Sequence, residues 1–491
     1  MIHNSYIGNR YKYKVSNDFL LFILIGIIWY VTYLVMDALP VFQVEKNGRS
    51  IYFLSVCGVV QFVITLRSLK KLQGRLFSPF FVFFVFLYIF NFGQFALWAF
   101  GIHYETEMTS THFIRYIDPY TALKMQVISL QLLAFFYVGV LFSQSLRQRK
   151  KSEETINYRN SIYRLIARPM IVISGLISIV ITFIMFRNAS VQGYSIIFET
   201  NIPSILKYIS YMFVPSVFLN LCVSNYSKKE FRIMSIVFML YAVPLLVMGD
   251  RSSWVYFLGV WIWVYIKFVA SKVDGVSDKK ERGKNRKRMI MAGVLVLVII
   301  FVSAQFVSVR DMARGSITLN NFDFSDLFTP FIKPFFEMGQ SAVCLGVIIQ
   351  DKINETWSYG NTYISAFLGM VLPRVRVLFG YQDFYIENWL SSYLNMGNYG
   401  VGFSAFAEAF LNGGSLFSGF FIMLYGLFIG RLTIVKESIN RYDVQKIFLA
   451  TSSAVVLLPS TRGSLDLYLR MLFWGVLLIE IVTSVVCSTR R

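Results

Sequence analysis

Long apolar runs alternate with short polar segments along the whole chain. A helix needs about 20 apolar residues to cross about 30 Å of hydrocarbon, and only helices or closed barrels satisfy their backbone groups there. The pattern predicts an all-α polytopic membrane protein, a single integral membrane domain over 1–491. About twelve transmembrane helices are expected, near 18–38, 51–66, 76–101, 120–142, 169–186, 204–223, 233–249, 252–270, 289–309, 402–431, 446–460 and 467–487.

Composition supports this class, because 56% hydrophobic and 15% charged residues are far too apolar for a soluble protein. The first apolar run lacks a small-residue cleavage site, so we expect it to remain in the mature protein as a signal anchor.

Basic residues predict the orientation, since short cytoplasmic loops retain Lys and Arg. With a cytoplasmic N-terminus, 32 of the 47 basic residues fall inside. Both termini are therefore predicted cytoplasmic. Segment 271–288 is a basic cytoplasmic loop expected to contact anionic membrane lipids.

The net charge of +20 would suit a protein that binds nucleic acid. The basic residues are concentrated in short inner connections, however, and membrane topology explains that distribution more simply. No nucleic-acid partner is therefore predicted.

One connection is much longer than the others: residues 310–401, between spans nine and ten, form a large external loop in this topology. Its apolar stretches 322–336 and 362–372 are interrupted or ended by proline, which predicts short interfacial or re-entrant helices. An active site at the outer membrane face is expected there. The aromatic residues of this loop have two interpretations: they stack on sugar rings, or they form an ordinary interfacial belt. These residues are Trp357, Tyr359, Tyr363, Tyr381, Tyr385, Trp389, Tyr393 and Tyr399.

Arginines also occupy the outer side of the predicted topology. A guanidinium near hydrocarbon costs roughly 2.5 to 3.5 kcal/mol on insertion scales, so it needs a partner. Its fork geometry suits phosphate oxygens, and the alternative is pairing with Asp250, Asp311 or Asp466. The arginines concerned are Arg251, Arg310, Arg314, Arg374, Arg376 and Arg462.

The tenth span has a polar stripe, because Ser404, Glu408 and Asn412 recur every fourth residue. The sequence Asn412-Gly413-Gly414 interrupts it, which predicts a broken helix with polar groups in a cavity at membrane depth. A buried glutamate is either functional or held in a salt bridge to one of the arginines.

Metal and cofactor chemistry have no signature. The four cysteines are scattered, the three histidines lack ligand spacing, and there is no paired-Asp sequence for a metal-nucleotide complex. A Walker-type glycine loop is also absent from the sequence. We therefore expect no metal and no cofactor.

Three short motifs resemble a known family. They are the Gly-x-Gly-x-Ser and Glu-Ala helix at 400–414, the Gly-x-Arg-Ser turn at 249–252, and Arg462-Gly463 before the last span. Together with about a dozen spans and one large outer loop, they resemble the bacterial O-antigen and capsule repeat-unit polymerases of the Wzy type. The resemblance implies a glycosyltransferase of the bacterial plasma membrane, with polyprenyl-pyrophosphate-linked oligosaccharides as donor and acceptor. It also implies a chain-length regulator protein as partner.

The resemblance gives the polar residues roles. Glu408 is the candidate base for the attacking hydroxyl, with Glu337 and Asp250 as further candidates and Ser404 and Asn412 in support. Charge on the departing pyrophosphate would be stabilised without a metal by Arg251, Arg310, Arg314, Arg374, Arg376 and Arg462.

Three alternatives remain. A flippase for lipid-linked oligosaccharides is also a basic twelve-span protein, but its loops should be short and its halves alike. The related O-antigen ligases use a histidine in the outer loop, which is absent from this one. A scaffold protein gives no reason for external arginines beside a broken polar helix.

Overall fold

The computed structural model describes residues 17–39, 49–102, 117–145, 153–192, 202–247, 252–270, 335–336, 338–357, 359–381, 392–393 and 402–489. Every regular element in these ranges is helical, which confirms the all-α prediction. The first nine helices are α1 (Asn17–Ala38), α2 (Arg49–Gln73), α3 (Pro79–Trp98), α4 (Pro119–Ser145), α5 (Glu153–Gln192), α6 (Ser204–Tyr211), α7 (Phe213–Val223), α8 (Lys228–Val247) and α9 (Ser252–Val264).

The second half of the described chain contains short helices followed by long ones. They are α10 (Val343–Gln350), α11 (Ile353–Thr356), α12 (Asn361–Leu368), α13 (Pro373–Leu378), α14 (Ala405–Thr433), α15 (Val444–Leu457), α16 (Leu465–Leu472) and α17 (Leu478–Ser488). A π-helical turn, Phe473–Leu477, joins α16 to α17.

Eleven of the twelve predicted spans coincide with helices, and the twelfth, 289–309, lies outside the described residues. In the described part of the chain, nine helical segments are long and apolar enough to cross a membrane. They are Asn17–Ala38, Arg49–Gln73, Pro79–Trp98, Pro119–Ser145, Ile156–Asn188, Ser204–Val223, Ala405–Thr433, Val444–Thr461 and Leu465–Ser488. The protein is therefore an integral membrane protein.

One helix extends far beyond its predicted span: α5 begins at Glu153, whereas the span is expected to start near 169. The apolar pattern reports only the part of a helix that contacts hydrocarbon, whereas this helix has 40 residues. Its polar extension is packed against the last helix. Arg159 lies 3.6 Å from a carboxylate oxygen of Glu480, and the buried Tyr163 hydroxyl donates to the same carboxylate.

The loop prediction at 362–372 is also corrected. A helix does form there, but α12 ends at Leu368, and a turn over 369–371 precedes a second short helix, α13, which begins at Pro373. Proline fits the first turn of a helix, where its missing N–H is not needed, so Pro373 starts α13 and does not end α12. We call residues 359–381, with α12 and α13, the loop hairpin.

Helices α4 and α14 cross at the centre of the bundle, and glycines bring their backbones together. A methyl group at Gly139 would overlap the carbonyl of Met423, and one at Gly426 would overlap the carbonyl of Phe136. Small residues allow such close approach in membrane proteins, where van der Waals packing drives helix association. Helix α4 is buried along most of its length as a result.

The helix ends meet in two groups at opposite ends of the bundle. In the first group, which we call the loop end, the C-terminal ends of α1 and α10 meet the start of α4, and α3 contacts the turn before α16. Its contacts include Tyr120 Oη to Met36 O at 2.6 Å and Asn91 Nδ2 to Thr461 O at 3.3 Å. The backbone N–H of Asp118 also donates to Gln350 Oε1 at 3.1 Å.

In the second group, the basic end, the C-termini of α2 and α14 meet the chain around Glu437. Its backbone N–H donates to Gln73 O at 2.8 Å, and its carbonyl accepts from Lys267 Nζ at 2.5 Å. Asn160 of α5 donates to Tyr442 O at 3.0 Å. Helices α1 to α4 thus run in alternating directions between the two ends.

Candidate functional site

The polar stripe predicted on the tenth span lies at the start of α14, at the loop end. Ser404 has extended backbone angles, and its hydroxyl accepts from Ala407 N at 3.0 Å, so it caps the helix. Ser404, Glu408 and Asn412 are all buried, with Glu408 only 2% exposed. The stripe therefore faces the interior of the bundle and not the lipid.

In the described part of the chain, hydrogen bonds from two separate segments hold the Glu408 carboxylate. Thr362 Oγ1 of the loop hairpin donates to Oε1 at 2.8 Å, and the backbone N–H of Leu465 donates to Oε2 at 2.9 Å. Leu465 is the first residue of α16, so the carboxylate lies at the positive end of that helix, where a negative charge is favoured.

Asn412 supports this arrangement one turn further along α14. Its Nδ2 donates to Thr362 Oγ1 at 2.7 Å and to Glu408 O at 2.7 Å, and its Oδ1 accepts from Thr362 N at 3.0 Å. The Asn412 carbonyl accepts from Gly360 N at 3.1 Å. Thr362 therefore bridges Glu408 and Asn412.

The predicted break in α14 is confirmed at Gly414, whose φ of 56° and ψ of −155° are not helical. Only glycine adopts such angles without strain. The neighbouring Gly413 leaves room for the following turn, because a Cβ there would lie 2.5 Å from Ser418 N. The break comes two residues after Asn412, and the polar stripe occupies the segment before it.

Arg462 lies beside the start of α14 and is exposed. Its backbone carbonyl accepts from Phe403 N at 3.1 Å, and its guanidinium carbon lies 6.0 Å from the centre of the Phe90 ring. Gly402 has a φ of +75°, and a Cβ there would lie 3.5 Å from Arg462 Nε. The structure therefore brings Arg462 and the Glu408 stripe to the same end of the bundle.

The two hairpin arginines have different surroundings. Arg376 is 1% exposed, and its Nη1 lies 3.0 Å from Asp466 Oδ1. Asp466 also pairs with Arg470 at 3.1 Å. Arg374 is exposed, because residues two apart on a helix point to nearly opposite sides. Arg376 thus pairs with Asp466, one of the carboxylates expected as partners of the arginines.

The remaining predicted site residues, Arg251, Arg310, Arg314, Asp250 and Glu337, lie outside the described residues. Among the aromatics, Tyr359 is exposed and Tyr363 contacts the Phe421 ring at 5.2 Å between centroids. Burial raises the pKa of the Tyr363 phenol well above its usual range, and the nearby Glu408 carboxylate adds to the rise. Tyr363 is thus a neutral hydroxyl near the stripe. Tyr385, Trp389 and Tyr399 lie outside the described residues.

Sequence reasoning missed Thr362 and gave Arg470 no role. Thr362 is 46 residues from Glu408, and nothing in its local sequence marks it as a partner. The pair Asp466 and Arg470 did carry a signal, because oppositely charged residues four apart share a helix face. In the described part of the chain, no three His, Cys, Asp or Glu side chains are grouped so that they could hold a metal ion.

A family model described as O-antigen polysaccharide polymerase Wzy matches residues 17–491. No curated protein and no solved structure matches the chain. The family match begins with α1 and includes every helix described above. The protein therefore belongs to the O-antigen polysaccharide polymerase family of the Wzy type.

Proposed function

We propose that this polymerase transfers a growing oligosaccharide from a polyprenyl pyrophosphate to a second lipid-linked repeat unit. The observation that carries the proposal is the buried Glu408 carboxylate, held by Thr362 and by the first N–H of α16, at the end of the bundle where Arg462 is exposed. A fixed carboxylate beside an exposed cation suits a reaction that removes a proton at one position and releases an anion at another.

Glu408 is the base in this proposal. An acceptor hydroxyl attacks the anomeric carbon of the donor chain while its proton passes to the carboxylate. The bond between that carbon and the pyrophosphate oxygen breaks, and the lipid pyrophosphate leaves with the electron pair. Thr362 and Leu465 each donate to one oxygen of the carboxylate, which fixes its orientation.

The leaving pyrophosphate would be stabilised by arginine rather than by a metal ion. Arg462 and Arg374 are exposed and available for this role, together with Arg251, Arg310 and Arg314 as expected from the sequence. Asp250 and Glu337 remain further candidates for proton transfer. Arg376 is set apart from this group, because its burial and its pairing with Asp466 favour a supporting role.

The loop end would face the outside of a bacterial plasma membrane, with both termini in the cytoplasm. The support for this is the distribution of charge: Arg67, Lys70, Lys71, Arg159 and Arg441 lie near the basic end, and cytoplasmic connections retain such residues. The polymer would be O-antigen or capsule, and a chain-length regulator protein would be a partner.

The test is complementation of a strain that lacks the gene. The deletion strain should carry a single repeat unit on the final acceptor, and the wild-type gene should restore a ladder of longer chains. Loss of even the single capped unit in the deletion strain would instead indicate a flippase or a ligase. The lipid carrier is tested separately, by finding released polyprenyl pyrophosphate in step with chain growth.

Metal independence gives a further prediction. Purified protein in lipid nanodiscs, supplied with lipid-linked repeat units extracted from the deletion strain, should extend chains equally well with and without EDTA. The arginines would supply the positive charge that a metal ion supplies elsewhere. Loss of extension in EDTA, with recovery on adding Mg²⁺ or Mn²⁺, would contradict this part of the proposal.

A further inference from the structure

We infer that Asp466, Arg376 and Arg470 form a buried clamp that positions the loop hairpin, and through it Thr362, against Glu408. The inference rests on the proposed role of Glu408 as base. Arg376 and Arg470 are 1% and 4% exposed, and both pair with Asp466. These are positioning residues, which act on the reaction through the contact between Thr362 and Glu408.

The clamp is one of two lines of contact between the loop hairpin and the long helices. On α16 and the following π-helical turn, Asp466, Arg470 and Trp474 recur every fourth residue. Each contacts the hairpin: Asp466 pairs with Arg376, Arg470 Nε donates to Gly369 O at 3.2 Å, and Trp474 Nε1 donates to Val371 O at 2.9 Å.

On α14, the second line consists of Glu408 and Asn412, which hold Gly360 and Thr362 at the other end of the hairpin. The hairpin is therefore fixed at its start by α14 and at its end by α16. Gly369 allows the hairpin backbone to approach Asp466 closely, because a Cβ at this position would lie 3.3 Å from Asp466 Oδ1.

A buried ion pair has a specific energetic consequence. Removing one partner leaves an uncompensated charge in a low dielectric, whereas removing both is much milder. Asp466 is shared by two arginines, so its loss should be the most disruptive single change. Loss of Arg376 leaves the pair between Asp466 and Arg470 intact. If Arg376 instead contacted phosphate directly, the variants would rank differently in activity, and every variant that lacks Arg376 would be inactive.

The test compares Asp466→Asn, Arg376→Met and the double variant in the complementation strain, at matched amounts of membrane protein. We expect Asp466→Asn, which leaves Arg376 and Arg470 both uncompensated, to lower the yield of long chains about tenfold. The double variant leaves only Arg470 uncompensated, so its yield should lie between those of Asp466→Asn and Arg376→Met. Arg376→Lys, which keeps the charge, should be closer to wild type than Arg376→Met. A double variant that is no better than Asp466→Asn would overturn the clamp.

A second readout follows the hairpin itself. Hydrogen exchange of residues 359–381 in purified full-length protein should become faster in Asp466→Asn and Arg376→Met, and remain unchanged in the control Val377→Thr, whose side chain is exposed on the same helix. In steady-state assays with extracted lipid-linked repeat units, Arg376→Met should lower kcat and leave KM unchanged. A raised KM with unchanged exchange would indicate direct donor binding and contradict the inference.

The two proposals fail separately. Exchange of the hairpin reports the clamp whether or not Glu408 is the base, so an active Glu408→Gln variant would remove the base and leave the clamp standing. If the Asp466→Asn protein does not accumulate in the membrane, the Arg376→Met variant alone tests the inference. Hydrogen exchange of the loop hairpin should then rise while kcat falls. A change in only one of these two quantities would contradict the inference.

Discussion

The hydroxyl of Thr362 has one proton, and its surroundings determine where that proton goes. Asn412 Nδ2 donates to the hydroxyl oxygen, so the Thr362 proton is directed to Glu408 Oε1. A hydrogen bond to a charged group contributes about 1.5–3 kcal/mol, more than one between neutral groups. Thr362 thus fixes the carboxylate and links it to the loop hairpin.

Substitution of Thr362 tests this link. Thr362→Val keeps the shape of the side chain but removes the donor to Glu408, so we expect polymer yield in the complementation strain to fall about tenfold. Thr362→Ser keeps the hydroxyl and should retain most of the activity. Equal yields from the valine and serine variants, at matched protein levels, would show that the hydroxyl is not needed.

Sequence reasoning reached Glu408 and Asn412 but not Thr362, for a physical reason. A polar residue every fourth position in an apolar helix is a local signal, and α14 has the expected stripe and break. The partners of that stripe come from tertiary contacts across 46 and 57 residues, which no periodicity records. For the same reason Arg374 and Arg376 looked equivalent, although only Arg376 meets Asp466.

At the scale of helices, the crossing of α4 and α14 positions the site, because α14 carries the polar stripe. Gly139 and Gly426 lie where the two backbones approach most closely. The sequence predicted both helices nearly to their ends, since apolar length is a direct signal for a membrane helix. It could not predict which helices are neighbours, because lipid-facing and protein-facing positions are equally apolar.

Gly426→Ala should therefore destabilise the bundle. A methyl group at this position would meet the carbonyl of Phe136, and overpacking of this kind costs typically about 1–3 kcal/mol. Gly175→Ala is the matched control, because a Cβ there would lie 3.4 Å from the Phe213 ring, an ordinary contact. Thermal unfolding of the purified proteins in nanodiscs should show a lower Tm for Gly426→Ala alone. Equal Tm values would contradict this packing.

At the scale of the whole molecule, the helix ends form two groups with different charge. The basic end contains Glu437, Tyr442 and the surrounding lysines and arginines, and the loop end contains the polar stripe and the loop hairpin. If the basic end is cytoplasmic, the reaction occurs at the outer face, where the completed polysaccharide is needed.

Cysteine labelling tests this orientation. In a background with Cys57 and Cys487 replaced by serine, Glu355→Cys would mark the loop end and Tyr442→Cys the basic end, since both positions are exposed. A membrane-impermeant maleimide should label position 355 in cells with an intact plasma membrane. It should label position 442 only after permeabilisation. The opposite pattern would invert the proposed topology.

The most direct test of the central claim is the chain-extension rate of Glu408→Gln in nanodiscs, with lipid-linked repeat units from the deletion strain. Glutamine keeps the shape of the side chain and an oxygen for the Leu465 N–H, but it cannot take a proton from the acceptor hydroxyl. We expect a loss of at least about 100-fold, with unchanged hydrogen exchange in the loop hairpin. Extension at the wild-type rate would contradict the claim that Glu408 is the base.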